Sequence, residues 1–164
     1  ADRENRKADL WKIFEEYNTL FKNQSGSEIH SKILNSALFS MKENEEWRFL
    51  NFFENWNPEN FIESDWKEIV KEDKVYPPLA IKALKKAFEQ IKLGNQFNDS
   101  TKLITAYKTA LVKFPKDIWL KREYAILLAK NNESEEAIKI YKNLVLELGD
   151  QSYTRHEFAL LFSE

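Results

Sequence analysis

The chain has 164 residues, of which 43% are hydrophobic and 14% aromatic, and its formal net charge is −2. Three glycines and four prolines are too few for an all-β fold, which needs many turns. The absence of cysteine excludes disulfides, thiolate nucleophiles and zinc–sulfur sites. No apolar run approaches the roughly 18 residues of a membrane span. We therefore predict an all-α, cytoplasmic protein that does not enter the membrane.

Residues 1–78 are predicted to form an N-terminal helical region of about four helices. Apolar residues recur there at helical spacing, which is the main signal for an amphipathic helix. The apolar stripes cover residues 10–21, 29–41, 47–56 and 61–70. The segment from Gln24 to Ser27 is expected to end the first helix and to cap the second. Asn57 and Pro58 mark a turn before the fourth helix.

Residues 79–164 are predicted to contain five helices joined by short connections. The helices are expected near 79–93, 100–113, 117–130, 134–148 and 151–164. Connections this short force neighbouring helices to lie antiparallel.

An offset of 34 residues aligns this second region with itself. The matched pairs include Trp119 with Tyr153, Glu123 with Glu157, Tyr124 with Phe158, Ala125 with Ala159, and Tyr107 with Tyr141. These residues resemble the tetratricopeptide repeat, whose period is also 34 residues. The resemblance implies helix pairs stacked as a short α-solenoid, in which each pair covers the apolar face of its neighbour.

The match has departures and alternatives. Ala87, Lys121 and Arg155 stand where the tetratricopeptide family favours tryptophan, so a different helix-pair solenoid remains open. Trp119 followed by Tyr124 is also similar to the half-a-tetratricopeptide variant found in RNA-processing scaffolds.

Two further expectations concern the ends of the repeat region. The run from Trp56 to Ala80 resembles an uncharacterised helical domain that is attached to bacterial tetratricopeptide proteins. The register stops at Glu164 in a first helix without its second. We therefore expect either that the native chain extends beyond residues 1–164 or that the last helix is itself the cap of the repeat.

Groups for catalysis are sparse. The two histidines, His30 on a polar edge of the second helix and His156, have no partner at metal-binding spacing. The three glycines are too far apart for a phosphate-binding loop, and the acidic residues at 43–46 are interpreted as a solvated helix start. We predict no enzyme activity, no catalytic residue, no metal and no cofactor. The alternative is an accessory domain of a larger enzyme.

The tetratricopeptide resemblance implies a concave groove lined by the first helix of each pair. The groove positions are Phe88, Lys92, Trp119, Arg122, Ile126, Tyr153, His156 and Leu160. This aromatic, basic and aliphatic mixture would suit an extended or helical peptide with apolar anchors and an acidic group. We therefore expect a non-catalytic scaffold for a protein or peptide partner. The other interpretation makes Trp119 and Tyr153 ordinary core residues.

The charge pattern supplies a competing partner class. Residues 76–122 carry ten basic and three acidic residues between two acidic stretches. Such a segment leaves open a scaffold associated with RNA or DNA processing. Only one of the ten is arginine and the whole chain is acidic, so direct nucleic-acid binding is the less favoured hypothesis.

Overall fold

The computed structural model describes residues 2–40, 46–148, 156, 157 and 159, with the side chains of residues 2–9 and 46 excepted. The chain forms two compact units, residues 1–103 and 104–164. The division lies inside a helix, whereas the sequence suggested a boundary between residues 78 and 79.

The described residues are mostly α-helical, which confirms the predicted all-α class. The helices are α1 (Asp2–Phe21), α2 (Glu28–Ser40), α3 (Glu46–Trp56), α4 (Leu79–Lys92), α5 (Ser100–Lys113), α6 (Ile118–Lys130) and α7 (Ser134–Leu148). His156, Glu157 and Ala159 are also helical, and the remainder of the predicted last helix lies outside the described residues.

The predicted helix over residues 61–70 is wrong. Two short 3₁₀ turns, Pro58–Asn60 and Glu63–Trp66, lead into an antiparallel hairpin of β1 (Ile69–Lys71) and β2 (Lys74–Tyr76). The β-branched residues of both strands favour extended backbone. Glu72 and Asp73 have φ angles of 48° and 61°, as in the type I′ turns that join such strands.

Aromatic rings at helical spacing build the core of the first unit. Trp11 lies 5.5 Å from Phe14 and 6.4 Å from Phe52, measured between ring centroids, and Phe14 lies 5.7 Å from Phe52. Aromatic pairs in tilted or edge-to-face geometry stabilise a core beyond the area that they bury. These three rings therefore fix α1 against α3.

Gly26 allows the loop between α1 and α2 to approach the 3₁₀ turn at Pro58–Asn60. A Cβ atom at position 26 would lie 1.8 Å from the carbonyl oxygen of Asn60. Beside it, the hydroxyl of Ser27 accepts a hydrogen bond from the backbone N–H of His30 at 3.3 Å. The predicted cap of the second helix is thus confirmed, and only glycine fits the residue before it.

Replacing Gly26 with alanine is expected to lower the free energy of unfolding by about 1–3 kcal/mol. The added methyl group clashes with the backbone carbonyl of Asn60, which cannot move aside as a flexible side chain could. Urea denaturation followed by circular dichroism measures the change. The matched control is Ser25→Ala, at an exposed neighbouring position, and equal stability of the two variants would contradict the close approach.

In the second unit, α6 and α7 pack against each other across the three-residue connection 131–133. Asn132 in this connection has a φ of 63°, a left-handed conformation that asparagine tolerates. Fully buried alanines at 110, 125 and 137 let the helix backbones come close. Larger buried side chains, Leu120, Leu128 and Leu144, fill the remaining space.

Candidate functional site

Two residues of the predicted groove are buried. Phe88 in α4 is 3% exposed and Ile126 in α6 is 4% exposed. Because both side chains are buried, neither offers a surface to a partner. The expectation that these two residues line an open groove is therefore corrected. The sequence identifies both residues as apolar, but helical periodicity does not predict which face of each helix is buried by neighbouring segments.

The other predicted groove residues are exposed, partly exposed or outside the described residues. Lys92 and His156 are exposed, while Tyr153 and Leu160 lie outside the described residues. Trp119 is 46% exposed, which is unusual for so large an apolar side chain. The guanidinium of Arg122 lies 6.0 Å from the centroid of the Trp119 ring.

Arg122 is already paired inside its own unit. Its Nε and Nη2 atoms donate to the two carboxylate oxygens of Glu157, and both side chains are largely buried. The hydroxyl of Tyr141 donates to the same carboxylate at 3.0 Å. Arg122 is thus held in place beside Trp119 and is not available as the main contact for an acidic partner.

A tyrosine–glutamate hydrogen bond occurs twice at the offset found in the sequence. Tyr107 donates to Glu123 at 2.8 Å, and Tyr141 donates to Glu157 at 3.0 Å. In each pair the residues are 16 positions apart, and the second pair follows the first by 34 positions. Burial, together with the nearby glutamate, raises the pKa of both tyrosines. Both hydroxyls therefore remain donors at neutral pH.

Replacing Tyr107 with phenylalanine is expected to lower the free energy of unfolding by about 1.5–3 kcal/mol, because the buried Glu123 carboxylate loses a donor. Thermal and urea denaturation measure the loss. The matched control is Tyr124→Phe, since Tyr124 donates to Glu136 over a longer 3.4 Å. A larger loss in the control than in Tyr107→Phe would contradict the assigned role.

His30 lies in a buried polar network of the first unit, not on a polar edge of α2. Its ring is 3% exposed and stacks on the indole of Trp56 with centroids 4.5 Å apart. Nε2 lies 3.0 Å from the Trp56 carbonyl oxygen, and Nδ1 lies 2.9 Å from the Tyr17 hydroxyl. Because a carbonyl only accepts, Nε2 carries the proton and Nδ1 accepts from Tyr17. Sequence reasoning missed this site because the partners of His30 come from two other helices, α1 and α3.

Asp65 forms the other end of this region. Its Oδ2 atom accepts from the Ser31 hydroxyl at 2.8 Å and from the Ile62 backbone N–H at 3.0 Å. Burial raises the pKa of Asp65 and lowers the pKa of His30. These hydrogen bonds join α2 to the segment that follows α3, so the network positions elements of the first unit.

The unfolding free energy is expected to fall as the pH decreases below 6.5, the ordinary pKa of histidine. Burial depresses the pKa of His30 in the folded protein, so the unfolded chain binds the proton first and protonation favours unfolding. The loss is about 1.4 kcal/mol for each pH unit between the two pKa values. Urea denaturation at pH 7, 6 and 5 measures it.

Two variants control this pH experiment. His30→Gln should flatten the dependence, because it removes the buried imidazole. Asp65 binds its proton more readily when folded, so it opposes the loss at lower pH, and Asp65→Asn removes that contribution. An unchanged pH profile in His30→Gln would contradict the assignment.

Within the described ranges, no group of three or more His, Asp or Glu side chains is placed to hold a metal ion. No helix of the described part is long and apolar enough to cross a membrane. Comparison with known proteins gives no match: no family model, no curated protein and no solved structure resembles the chain significantly.

Proposed function

We propose that this chain is a non-catalytic protein-interaction module built from stacked helix pairs, and that a partner binds on the surface around Trp119. The observation that carries the proposal is the half-exposed Trp119 ring beside an arginine held by Glu157. Tryptophan and arginine are the residues most enriched among those that dominate binding energy at interfaces.

The surface around Trp119 is preorganised. Trp119 lies in the first turn of α6, where the Asp117 side chain accepts from the backbone N–H groups of Trp119 and Leu120 at 2.9 and 3.1 Å. The helix start is therefore capped, and the neighbouring Arg122 is fixed by its carboxylate partner. A surface that is ordered before binding loses less conformational entropy when a partner docks.

The repeated tyrosine–glutamate hydrogen bond supports the stacked arrangement within this proposal. Stacked helix-pair repeats form extended surfaces that such proteins use to bind partners. Because Arg122 is paired with Glu157 in its own unit, we expect the partner to contact Trp119 with an apolar side chain. The acidic group of the peptide expected from the sequence has no assigned contact on this surface.

The nucleic-acid alternative finds less support. Among the ten basic residues of segment 76–122, at least four pair with carboxylates within their own units. The pairs are Lys86 with Glu89, Lys102 with Asp99, Lys121 with Glu147, and Arg122 with Glu157. Charges neutralised in this way contribute little to phosphate binding, which depends on the release of counterions by unpaired cations.

Replacing Trp119 with alanine is expected to weaken peptide binding about 30-fold, the loss typical of a dominant interface residue. The probes are peptides enriched from a displayed random dodecapeptide library on the full chain, and fluorescence polarisation measures their affinity. The matched control is Val112→Ala, an exposed position outside α6. Unchanged binding by Trp119→Ala would contradict the proposal, and so would loss of helicity, because the ring would then be core.

A filter-binding assay with a 20-nucleotide RNA at 50 and 200 mM salt tests the alternative. The proposal expects no binding above that of an unrelated acidic protein. Binding that weakens steeply with salt would favour the nucleic-acid scaffold.

A further inference from the structure

A cleft lined by carboxamides lies in the first unit, between α3 and the connection from α4 to α5, with a volume of about 250 Å³. Three of its lining residues are spaced along one face of α3, and three more come from the connection. We call this site the amide cleft, and these lining residues are Trp47, Asn51, Glu54, Asn95, Gln96 and Asn98.

The connection is fixed in place by a buried carboxylate of α3. The two oxygens of Glu54 accept from the Asn98 side chain at 2.9 Å and from the Asp99 backbone N–H at 2.7 Å. Nδ2 of Asn95 donates to Oε1 of the buried Gln90 at 2.9 Å. The amides at positions 95 and 98 are therefore ordered before a ligand binds, which lowers the entropy cost of binding.

These ordered amides keep hydrogen-bonding atoms for a ligand. Because a carboxylate only accepts, Nδ2 of Asn98 is the donor to Glu54, and its Oδ1 is an acceptor without a partner among the described residues. Oδ1 of Asn51 accepts from Asn55 at 3.3 Å, which leaves Nδ2 of Asn51 as a donor. Asn51, Gln96 and Asn98 are exposed, so these side chains are open to a ligand.

Trp47 adds a flat apolar surface beside the amides. Its side chain is 54% exposed, although so large an apolar group is usually buried. The guanidinium of Arg48 lies over the ring, 5.5 Å from its centroid. The amide cleft thus combines a flat aromatic ring with uncharged donors and acceptors.

The lining favours a neutral ligand. Among the residues that line the amide cleft in the described part of the chain, Glu54 alone is ionisable, and both of its oxygens already accept hydrogen bonds. Most small-molecule sites are apolar with a few polar groups, whereas carboxamides dominate this one. A matching ligand carries many uncharged hydrogen-bonding groups together with a flat apolar face.

A sugar ring has both properties. Its hydroxyl groups donate and accept, as carboxamides do, and the C–H groups on one face of the ring are apolar. A nucleotide would bring a phosphate, for which the amide cleft supplies no cation. A peptide main chain supplies amides but by itself no flat apolar ring for Trp47.

The polar surface continues beyond the amide cleft. An adjoining cavity of about 420 Å³ shares three lining residues with it and adds three carboxamides, Asn23, Asn55 and Asn57. Lys22 and Lys102 also line this cavity, and an ammonium group donates to hydroxyl oxygens. Polar contacts are thus available on both sides of Asn98, as a ligand of more than one sugar ring requires.

We propose that the amide cleft binds a neutral oligosaccharide. The C–H face of one sugar ring packs on Trp47, while its hydroxyls accept from Asn51 Nδ2 and donate to Asn98 Oδ1. The next sugar unit extends into the adjoining cavity. This site goes beyond the interaction surface at Trp119, because it belongs to the first unit and takes a different class of ligand.

An array of neutral oligosaccharides probes the full chain, and isothermal titration calorimetry with the best trisaccharide measures the affinity. Trp47→Ala is expected to weaken binding at least tenfold, because the apolar contact is lost. Trp47→Phe should weaken it less, since a flat ring remains. The matched control is Trp119→Ala, an exposed tryptophan of the other unit, which should leave the affinity within twofold.

Asn51→Ala should weaken trisaccharide binding about three- to tenfold, because one hydrogen bond is lost. Its matched control is Asn143→Ala, an exposed carboxamide on α7, which should leave the affinity unchanged. Trp47 and Asn51 are both exposed, so the variants are expected to keep the circular dichroism spectrum of the parent chain. If Trp47→Ala does not fold, Trp47→Phe and Asn51→Ala decide the matter.

The salt dependence tests whether the ligand is recognised without charge. Raising the salt concentration from 50 to 500 mM should change the affinity for the trisaccharide less than twofold, because screening weakens only interactions between charges.

Three results would overturn the inference. They are no oligosaccharide bound with a Kd below about 1 mM, equal affinity with and without the Trp47→Ala substitution, and binding that weakens steeply with salt. Enrichment of displayed dodecapeptides that depend on Trp47, in place of oligosaccharide binding, would also contradict it and would assign the amide cleft to a peptide.

Discussion

Burial of a carboxylate is costly unless the group accepts hydrogen bonds. Among the described residues, three buried carboxylates each link two segments of one unit through such bonds. Glu123 in α6 accepts from Tyr107 in α5, and Asp65 accepts from Ser31 in α2. Glu54 in α3 accepts from the segment that precedes α5. Each bond is satisfied in only one relative position of the two segments. A shift of one segment along the other would leave a buried carboxylate without its donor, which is costly.

Two buried polar atoms of the first unit are exceptions to this need for a partner. Trp11 Nε1 and Asn18 Oδ1 are buried like the carboxylates, yet neither has a partner in the described part of the chain. The first unit thus combines one polar network whose bonds are made internally, around His30 and Asp65, with two buried polar atoms that have no partner among the described residues.

Much of the helical framework follows from the sequence, because α4 and α7 have strong apolar periodicity and the connections between α4, α5, α6 and α7 are short. The 34-residue offset could also be recognised in the sequence, since the tyrosines and the glutamates of the two hydrogen-bonded pairs are each 34 residues apart. The hairpin was missed because two residues with positive φ angles form its turn and neither is glycine or asparagine. Burial of Phe88, the polar network of His30 and the unpaired atom of Asn18 depend on contacts across distant segments, which periodicity does not encode.

The tyrosine–glutamate bond also sets a rule for how such a chain can change in length. Sixteen positions separate donor and acceptor in both copies. In the first copy that span includes the end of α5, the connection and the start of α6. One inserted residue in the connection must be absorbed as a bulge or it displaces the buried carboxylate from its donor. A whole 34-residue block, in contrast, brings its own tyrosine and glutamate. Evolution of this region is therefore freer to add complete units than to lengthen a single turn.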